Sequence, residues 1–311
     1  MPVIASLFAA VTPMLLYLIL IWWMDKYDRE PILFVFLHFM WGAFGAIILG
    51  ITGSMALTGM LGQSSNSSSL IQTIIFAPFS EEIAKASFLL FSINSKKFDN
   101  ITDGLVYGGA IGLGFGMTEN FIYFLTYGNS PETWFQIVVI RSLFSAVMHC
   151  ISTGSFGAIL AISKFSSLSM KNLLPFSGLT FAIFIHFAWN TLVSFDETYF
   201  YGFIFMLFLV LLFYIVLQLS IINERRIIER ELLDESKMNV LPEAHIKILS
   251  SHLRFRRGWI DESIRVLYTR IAIRLAFSKI QYKRAKDSSK EYYSLEIEKN
   301  REAVRTLLSI N

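Results

Sequence analysis

The strongest constraint on this chain is a series of long apolar runs that no water-soluble core could hide. Seven segments, at 3–24, 32–55, 70–92, 103–127, 134–163, 173–195 and 199–222, each hold about 20 residues or more. At about 1.5 Å of rise per residue, each is long enough to cross about 30 Å of hydrocarbon as a helix. Lipid offers a backbone no hydrogen bonds, so a segment of this kind crosses as a helix. The sequence therefore predicts an all-α, polytopic membrane protein of about seven transmembrane helices. The fifth run is long for one crossing, which implies a tilt, a kink or a portion outside the bilayer. Composition agrees, because charged residues make up 16% of the chain against about 25% in soluble domains. The single cysteine, Cys150, excludes an intramolecular disulfide framework. No Lys or Arg precedes Lys26, so residues 3–24 lack the positive start of a cleaved signal and read as a retained span.

Charge between the runs alternates completely. Loops one, three and five carry Lys26 and Arg29, Lys96 and Lys97, and Lys164 and Lys171, and the tail begins with Arg225 and Arg226. Loops two, four and six carry no Lys or Arg, only Glu132, Asp196 and Glu197. The positive-inside rule then places the N-terminus outside, with the odd loops and the tail in the cytoplasm. Seven spans satisfy that arrangement; six or eight do not. Loop two, GQSSNSSS, is a polar connector, and its Asn66-Ser67-Ser68 matches a glycosylation sequon that occurs often by chance.

The charge also divides the chain into two regions. Residues 1–222, a transmembrane domain, carry a net −3, and residues 223–311 carry a net +6. The second region reads as a cytosolic, helical, amphipathic tail, with breaks near Asn239–Pro242 and at Gly258. It is expected to pack as a small domain on itself or on the membrane surface; a site for an anionic lipid headgroup or a partner is the alternative. Its basic residues are interleaved with acids, and nothing in it resembles a nucleic-acid module.

Ionisable side chains inside spans are costly, and they point to function. Span three carries Glu81, Glu82 and Lys85 in SEEIAK, span four Glu119 in GFGMTEN, span five Arg141 and His149, and span six His186 with Asn190 one turn on, in HFAWN. Counted from the outer ends of their spans, Glu81, Glu119 and His186 lie about 12 to 17 Å deep, and His149 falls near the midplane. Polar groups from four spans thus share one slab, which implies a common water-accessible cavity. Lys85 is spaced to reach Glu82 or Glu81. Adjacent Glu81 and Glu82 point about 100° apart and are expected to have different roles. Such a group suits hydrolysis: a carboxylate at reduced dielectric can take a proton from water, and a His/Asn pair can stabilise the oxyanion of a scissile carbonyl. Zinc is the competing chemistry, with Glu81, Glu119, His149 and His186 as ligands from separate helices, since no HExxH is present. Arg141 is expected to snorkel or pair with an acid, Asp103 to serve the start of span four, and Cys150 to be an ordinary small apolar residue.

At these residues the chain resembles the PrsW family of intramembrane proteases, related to the broader CAAX-processing and bacteriocin-processing membrane proteases. The resemblance runs over roughly residues 13–195, through DKYDREP, APFSEEIAK, DGLVYGGAIGLGFGMTEN, MHCISTGSFG and HFAWN. It implies Glu81 as the water-activating base, Glu82 in support, Glu119 as the assisting residue and His149 as a histidine specific to the closer family. His186 and Asn190 match the oxyanion pair. CAAX-processing members carry histidine where this chain has Glu119, which argues against a prenyl-protein protease. The resemblance implies endoproteolysis of a membrane protein, such as a single-span anti-sigma factor, with no cofactor or, alternatively, zinc. A transporter with a buried acidic relay and a non-catalytic scaffold or receptor are the other readings. No inverted repeat is visible for the first, and no expected polar position is lost for the second.

Overall fold

A computed structural model describes residues 3–60, 67–164, 166–285 and 287–309; the sequon asparagine, Asn66, lies outside them. The described residues are helical throughout, with no strand. They form two compact units, one of Met1–Asp25 with Glu30–Leu217, the other of Lys26–Arg29 with Gln218–Asn311.

The first unit is built from α1 (Val3–Met24), α2 (Ile32–Met60), α3 (67–92), α4 (Ile101–Tyr127), α5 (Pro131–Lys164), α6 (Leu168–Val193) and the first half of α7 (Tyr199–Lys237). Among the described residues, five helices are long and apolar enough to cross a membrane: α1, α2, α5, α6 and α7. The chain is therefore an integral, polytopic membrane protein, but this measure does not reach the expected seven. The two helices that fall short are those interrupted by polar chemistry. α3 carries Glu81, Glu82 and Lys85 at its centre, and α4 carries Asp103, Glu119 and six glycines.

α4 is the axis of the unit. It starts at a capping box, in which Asn100 accepts from the Asp103 backbone N–H at 2.9 Å and Asp103 accepts from that of Asn100 at 3.0 Å. Asp103 is thus a helix-start residue. A row of glycines four apart then lets α5 approach backbone to backbone. A Cβ on Gly104, Gly108 or Gly112 would meet the carbonyl oxygens of Gly157, Thr153 and His149 at 2.2, 2.3 and 2.1 Å. This is the small-residue interface that membrane helices use where apolar burial gives no drive. On another face, Gly114 meets the carbonyl oxygen of Phe39 on α2 equally closely.

Three helices contain a π-helical turn: Trp41–Ala46 in α2, Gln72–Phe76 in α3 and Arg141–Ser145 in α5. Each adds a residue to one turn and rotates the remainder of its helix, and such turns are frequent at functional sites. The turn in α3 lies just before Glu81, and that in α5 just before His149.

In the second unit α7 runs on unbroken to Lys237, well past the expected span end. The rest of the unit comprises α8 (Ala244–Leu249), a 3₁₀ turn (His252–Phe255), α9 (Glu262–Arg284) and α10 (Asp287–Ser309). The expected breaks coincide with the two left-handed residues, Asn239 (φ 54°) and Gly258 (φ 86°). Its core joins Ile228, Leu232, Leu249, Tyr268 and Leu275. Two buried acids one turn apart on α7 meet cations from the other helices. Glu231 pairs with Lys283 at 2.6 Å, and Glu235 with Lys279 at 2.8 Å and Arg301 at 2.7 Å. Residues 26–29 belong to this unit through Tyr27, whose hydroxyl donates to the Ser250 carbonyl at 2.6 Å.

Candidate active site

The ionisable groups of α3, α4, α5 and α6 converge on one buried cluster. Glu82 is its most heavily bonded member. Its Oε1 accepts from Lys85 Nζ at 2.9 Å, His186 Nδ1 at 3.0 Å and Ser152 Oγ at 3.2 Å, and its Oε2 accepts from Thr153 Oγ1 at 3.2 Å. Four donors leave this carboxylate little freedom to exchange protons with substrate. Glu81 is the opposite case. Its Oε2 is buried without a hydrogen-bond partner, 3.7 Å from Lys85 Nζ and 3.9 Å from His186 Nε2. A buried acceptor left open costs free energy unless something fills the site.

The two histidines are oriented from outside in. His186 donates through Nδ1 to Glu82, so its Nε2 carries the lone pair, and that lone pair is on the Glu81 side. His149 contacts Lys85 Nζ through Nδ1 at 2.9 Å and Glu119 Oε2 through Nε2 at 2.7 Å. An ammonium only donates, so Nδ1 accepts and the ring proton sits on Nε2, facing Glu119. The rings lie edge to face with centroids 4.8 Å apart. Ligand-capable atoms of Glu81, His149 and His186 all fall within 4.8 Å of one another.

Glu119 stands at the rim. Its Oε2 also pairs with Arg141 Nη2 at 2.7 Å; the guanidinium donates through Nε to Asn120 at 3.0 Å and stacks 3.6 Å over the Tyr123 ring. Arg141 is thus an acid-pairing residue that fixes Glu119, and Glu119 fixes His149. Lys85 lies 3.8 Å from the Phe115 ring centroid, fully enclosed.

The structure thus brings Glu81, Glu82, Lys85, Glu119, Arg141, His149 and His186 into one network. Asn190 stands apart, its side-chain amide donating to the Thr73 carbonyl in the π turn of α3 at 2.9 Å. Sequence reasoning missed Ser152 and Thr153, which hold Glu82. Their signal was their place three and four residues after His149, on the same face of α5.

A family profile described as "PrsW family intramembrane metalloprotease" matches residues 30–217. The chain belongs to the PrsW family. Proteins named Protease PrsW are similar to it. That of Geobacillus kaustophilus (strain HTA426) is 26% identical over 204 residues, covering 65% of this chain and 85% of the relative. That of Clostridioides difficile (strain 630) is 26% identical over 163 residues, covering 52% and 67%. That of Bacillus subtilis (strain 168) is 25% identical over 164 residues, covering 52% and 71%. No solved structure matches. The PrsW match takes in every residue of the cluster and ends before the C-terminal unit. This PrsW-family membrane protease therefore carries a buried acid and histidine cluster suited to an intramembrane catalytic site.

Proposed function

We propose that this chain is a metal-dependent intramembrane endopeptidase, with Glu81, His149 and His186 as the ligands of a divalent cation. One observation carries the reading. Three ligand-capable atoms converge within 4.8 Å, the Glu81 oxygen among the buried groups there has no partner, and each histidine is held by a carboxylate on its other nitrogen. A carboxylate behind a ligating histidine is the usual outer support of a metal site. Two imidazoles and one carboxylate suit zinc, with a position left for substrate or water. Bound there, zinc supplies Lewis acidity to a scissile carbonyl and to water.

The protein groups do the rest. Glu82 holds His186, and Ser152 and Thr153 hold Glu82. Arg141 keeps Glu119 against His149. Glu119 has the most open side chain of the three carboxylates, 19% exposed against 11% for Glu81 and 1% for Glu82, which suits it to carry protons to and from water at the rim. Asn190 is a positioning residue in this conformation, with one amide hydrogen on the Thr73 carbonyl; its second amide hydrogen is the donor it would offer an oxyanion site. A metal-free reading, with Glu81 as the base that activates water, draws support from Lys85, whose ammonium already balances charge among these ligands.

The reading includes α3 and α4 as crossing helices, giving seven spans, with the N-terminus outside and the odd loops and tail in the cytoplasm. Loop 26–29 packs within the C-terminal unit, which supports loop one and the tail lying on the same side of the membrane; both five and seven crossings have that parity, so loop charge favours the orientation itself. The substrate class is a membrane protein, with a single-span anti-sigma factor as the first candidate.

Cleavage of single-span substrates by purified protein tests this reading, comparing wild type with Glu81→Gln and His186→Ala, with and without a strong zinc chelator. Activity lost on chelation, restored by zinc and absent in both variants is the expected result. Activity indifferent to the chelator but lost in Glu81→Gln would replace the metal with a glutamate-activated water. Activity surviving in Glu81→Gln would overturn both.

A further inference from the structure

The C-terminal unit lies beyond the family match, and one part of its surface has a composition the protease reading does not use. Between the 3₁₀ turn and α9 the chain runs Phe255-Arg256-Arg257-Gly258, all exposed, with the Phe255 ring 66% accessible. An exposed aromatic beside two exposed arginines is a composition that membrane interfaces favour.

Hydrogen bonds inside the unit fix the level of this turn. Arg254, buried just before it, donates through Nη2 to the Lys26 carbonyl at 2.9 Å and stacks 4.4 Å over the Tyr27 ring. Lys26 is two residues past the last helical residue of α1, Met24, and exposed Trp23 is of the type that marks a lipid headgroup level. On the other side, Ser250 bonds Tyr27 through its carbonyl and donates through Oγ to Glu229 at 2.9 Å. Glu229 pairs with Arg225 at 2.9 Å. On α7 the dense run of exposed apolar residues reaches Leu219 and Ile222, and the exposed arginines begin at Arg225 and Arg226, with Leu233 a further exposed apolar residue beyond them. The turn is therefore tied to residues 26–27, which follow α1 in the chain, and through Ser250 to Glu229 on α7.

Exposed charge at this level is mostly positive. Lys26, Arg225, Arg226, Arg256 and Arg257 are exposed. Of the nearby acids, Asp25 and Glu224 are buried, Asp28 is half-buried, Glu229 pairs with Arg225 and Ser250, Asp261 caps α9, and Glu262 pairs with Arg265 at 2.9 Å.

We propose that the Phe255–Gly258 turn docks on anionic phospholipid headgroups of the leaflet from which α1 and α7 emerge, with Arg256 and Arg257 on the phosphates and the Phe255 ring in the interface. The docked turn makes the C-terminal unit a membrane-surface module, and through Arg254 it holds the loop after α1. The proposal needs membrane integration and the internal contacts of the unit; it does not depend on the metal or on the catalytic roles above.

The test uses the full chain in nanodiscs of phosphatidylcholine alone or with phosphatidylglycerol, read by hydrogen exchange over residues 252–259. Exchange should slow in anionic discs, and high salt should reverse the effect. Each arginine removed should lower occupancy of the docked state about fivefold. The double variant Arg256→Glu/Arg257→Glu should therefore exchange equally in both lipids, while matching wild type in phosphatidylcholine. Phe255→Ser should keep part of the lipid difference. Equal exchange of wild type in the two lipids would overturn the proposal. So would a double variant that retains the full difference, because the protection would then come from elsewhere in the fold. Because the readout is local exchange, a failed cleavage assay would leave this result standing, and the converse holds.

Discussion

Replacing Gly112 by alanine should disable the site without touching a charged residue. A Cβ at Gly112 would stand 2.1 Å from the His149 carbonyl oxygen, 2.4 Å from its carbonyl carbon and 2.7 Å from the Cys150 nitrogen. All three are backbone atoms, so no side chain can rotate away. Ordinary contact begins near 3.4 Å, so α5 must retreat from α4 by about 1.3 Å at this level or bend around the methyl group. His149 rides on that segment. Its 2.7 Å bond to Glu119 lengthens to about 4 Å if Glu119 stays in place, which is beyond hydrogen-bond range. Overpacking of this kind costs about 1–3 kcal/mol, and a displacement of about 1 Å in a catalytic group costs about 100-fold in rate.

The assay pairs a thermal midpoint in detergent with cleavage of a membrane-protein substrate. Gly112→Ala should lower both. Gly59→Ala is the matched control, because a Cβ there meets nothing within 4 Å and alanine favours a helix over glycine by about 1 kcal/mol. A Gly112→Ala protein with wild-type midpoint and wild-type rate would refute the close approach of α4 and α5, and with it the route by which His149 is placed.

The same contacts give three other perturbations a definite direction. Lys85→Gln should tighten zinc binding at least tenfold in competition with a chromogenic chelator, and Lys85→Arg should not. The ammonium lies 3.7 Å from Glu81, where a unit charge is worth about 4 kcal/mol at an effective dielectric of 20; equal affinities would remove Lys85 as a competitor for the ligands. Glu82→Gln should lower the thermal midpoint more than Glu119→Gln, because it takes from a fully buried ammonium its closest carboxylate, where breaking a buried pair costs up to about 3–5 kcal/mol, whereas Arg141 beside Glu119 is partly open. The reverse order would show Glu82 to be less central than its four donors imply. In the C-terminal unit, burial holds His245 below the ordinary value of 6.5. As pH falls through 6.5 the unfolded ring takes a proton that the folded ring resists, so stability declines across that window and levels below the folded value. Hydrogen exchange in α8, corrected for intrinsic rate, should show this decline, and His245→Gln should flatten it.

Much of the fold was legible because lipid demands continuous apolar helices. The starts and ends of α1 and α4 fall within a few residues of the apolar runs, and the breaks at Asn239 and Gly258 coincide with their positive φ. The course of α7 beyond Ile222 was not legible. Its polar half continues as helix because Glu231 and Glu235 are paired across the C-terminal unit, and those cations lie far along the chain. The membership of residues 26–29 in that unit depends on Tyr27 meeting Ser250, a contact spanning 223 residues. In the site, counting depth along each span grouped the right spans. It could not say which oxygen faces which nitrogen. The π turns in α3 and α5 shift the register of Glu81 and His149 by an amount that a period of 3.6 does not contain. The contact of Lys85 with His149 and the open oxygen of Glu81 depend on that shift.

Of the two helices that fail the simple test of apolarity, α4 is the one the fold encloses most completely, and α3 has its charged residues buried. Glu82, Lys85 and Asp103 are buried to within 1% of full enclosure, while α1 and α7 turn Phe8, Leu16, Phe200 and Leu207 outward. Charged groups in lipid require partners and shelter, and in α4 the shelter is glycine. With no side chains between α4 and α5, the polar groups of α3, α5 and α6 come close enough to satisfy one another. A chain with larger residues at Gly104, Gly108 and Gly112 would hold the same acids and histidines too far apart to neutralise their charge, and the helices bearing them would be poor membrane spans. The glycine row and the buried charges are therefore one device, and neither is stable in a bilayer without the other.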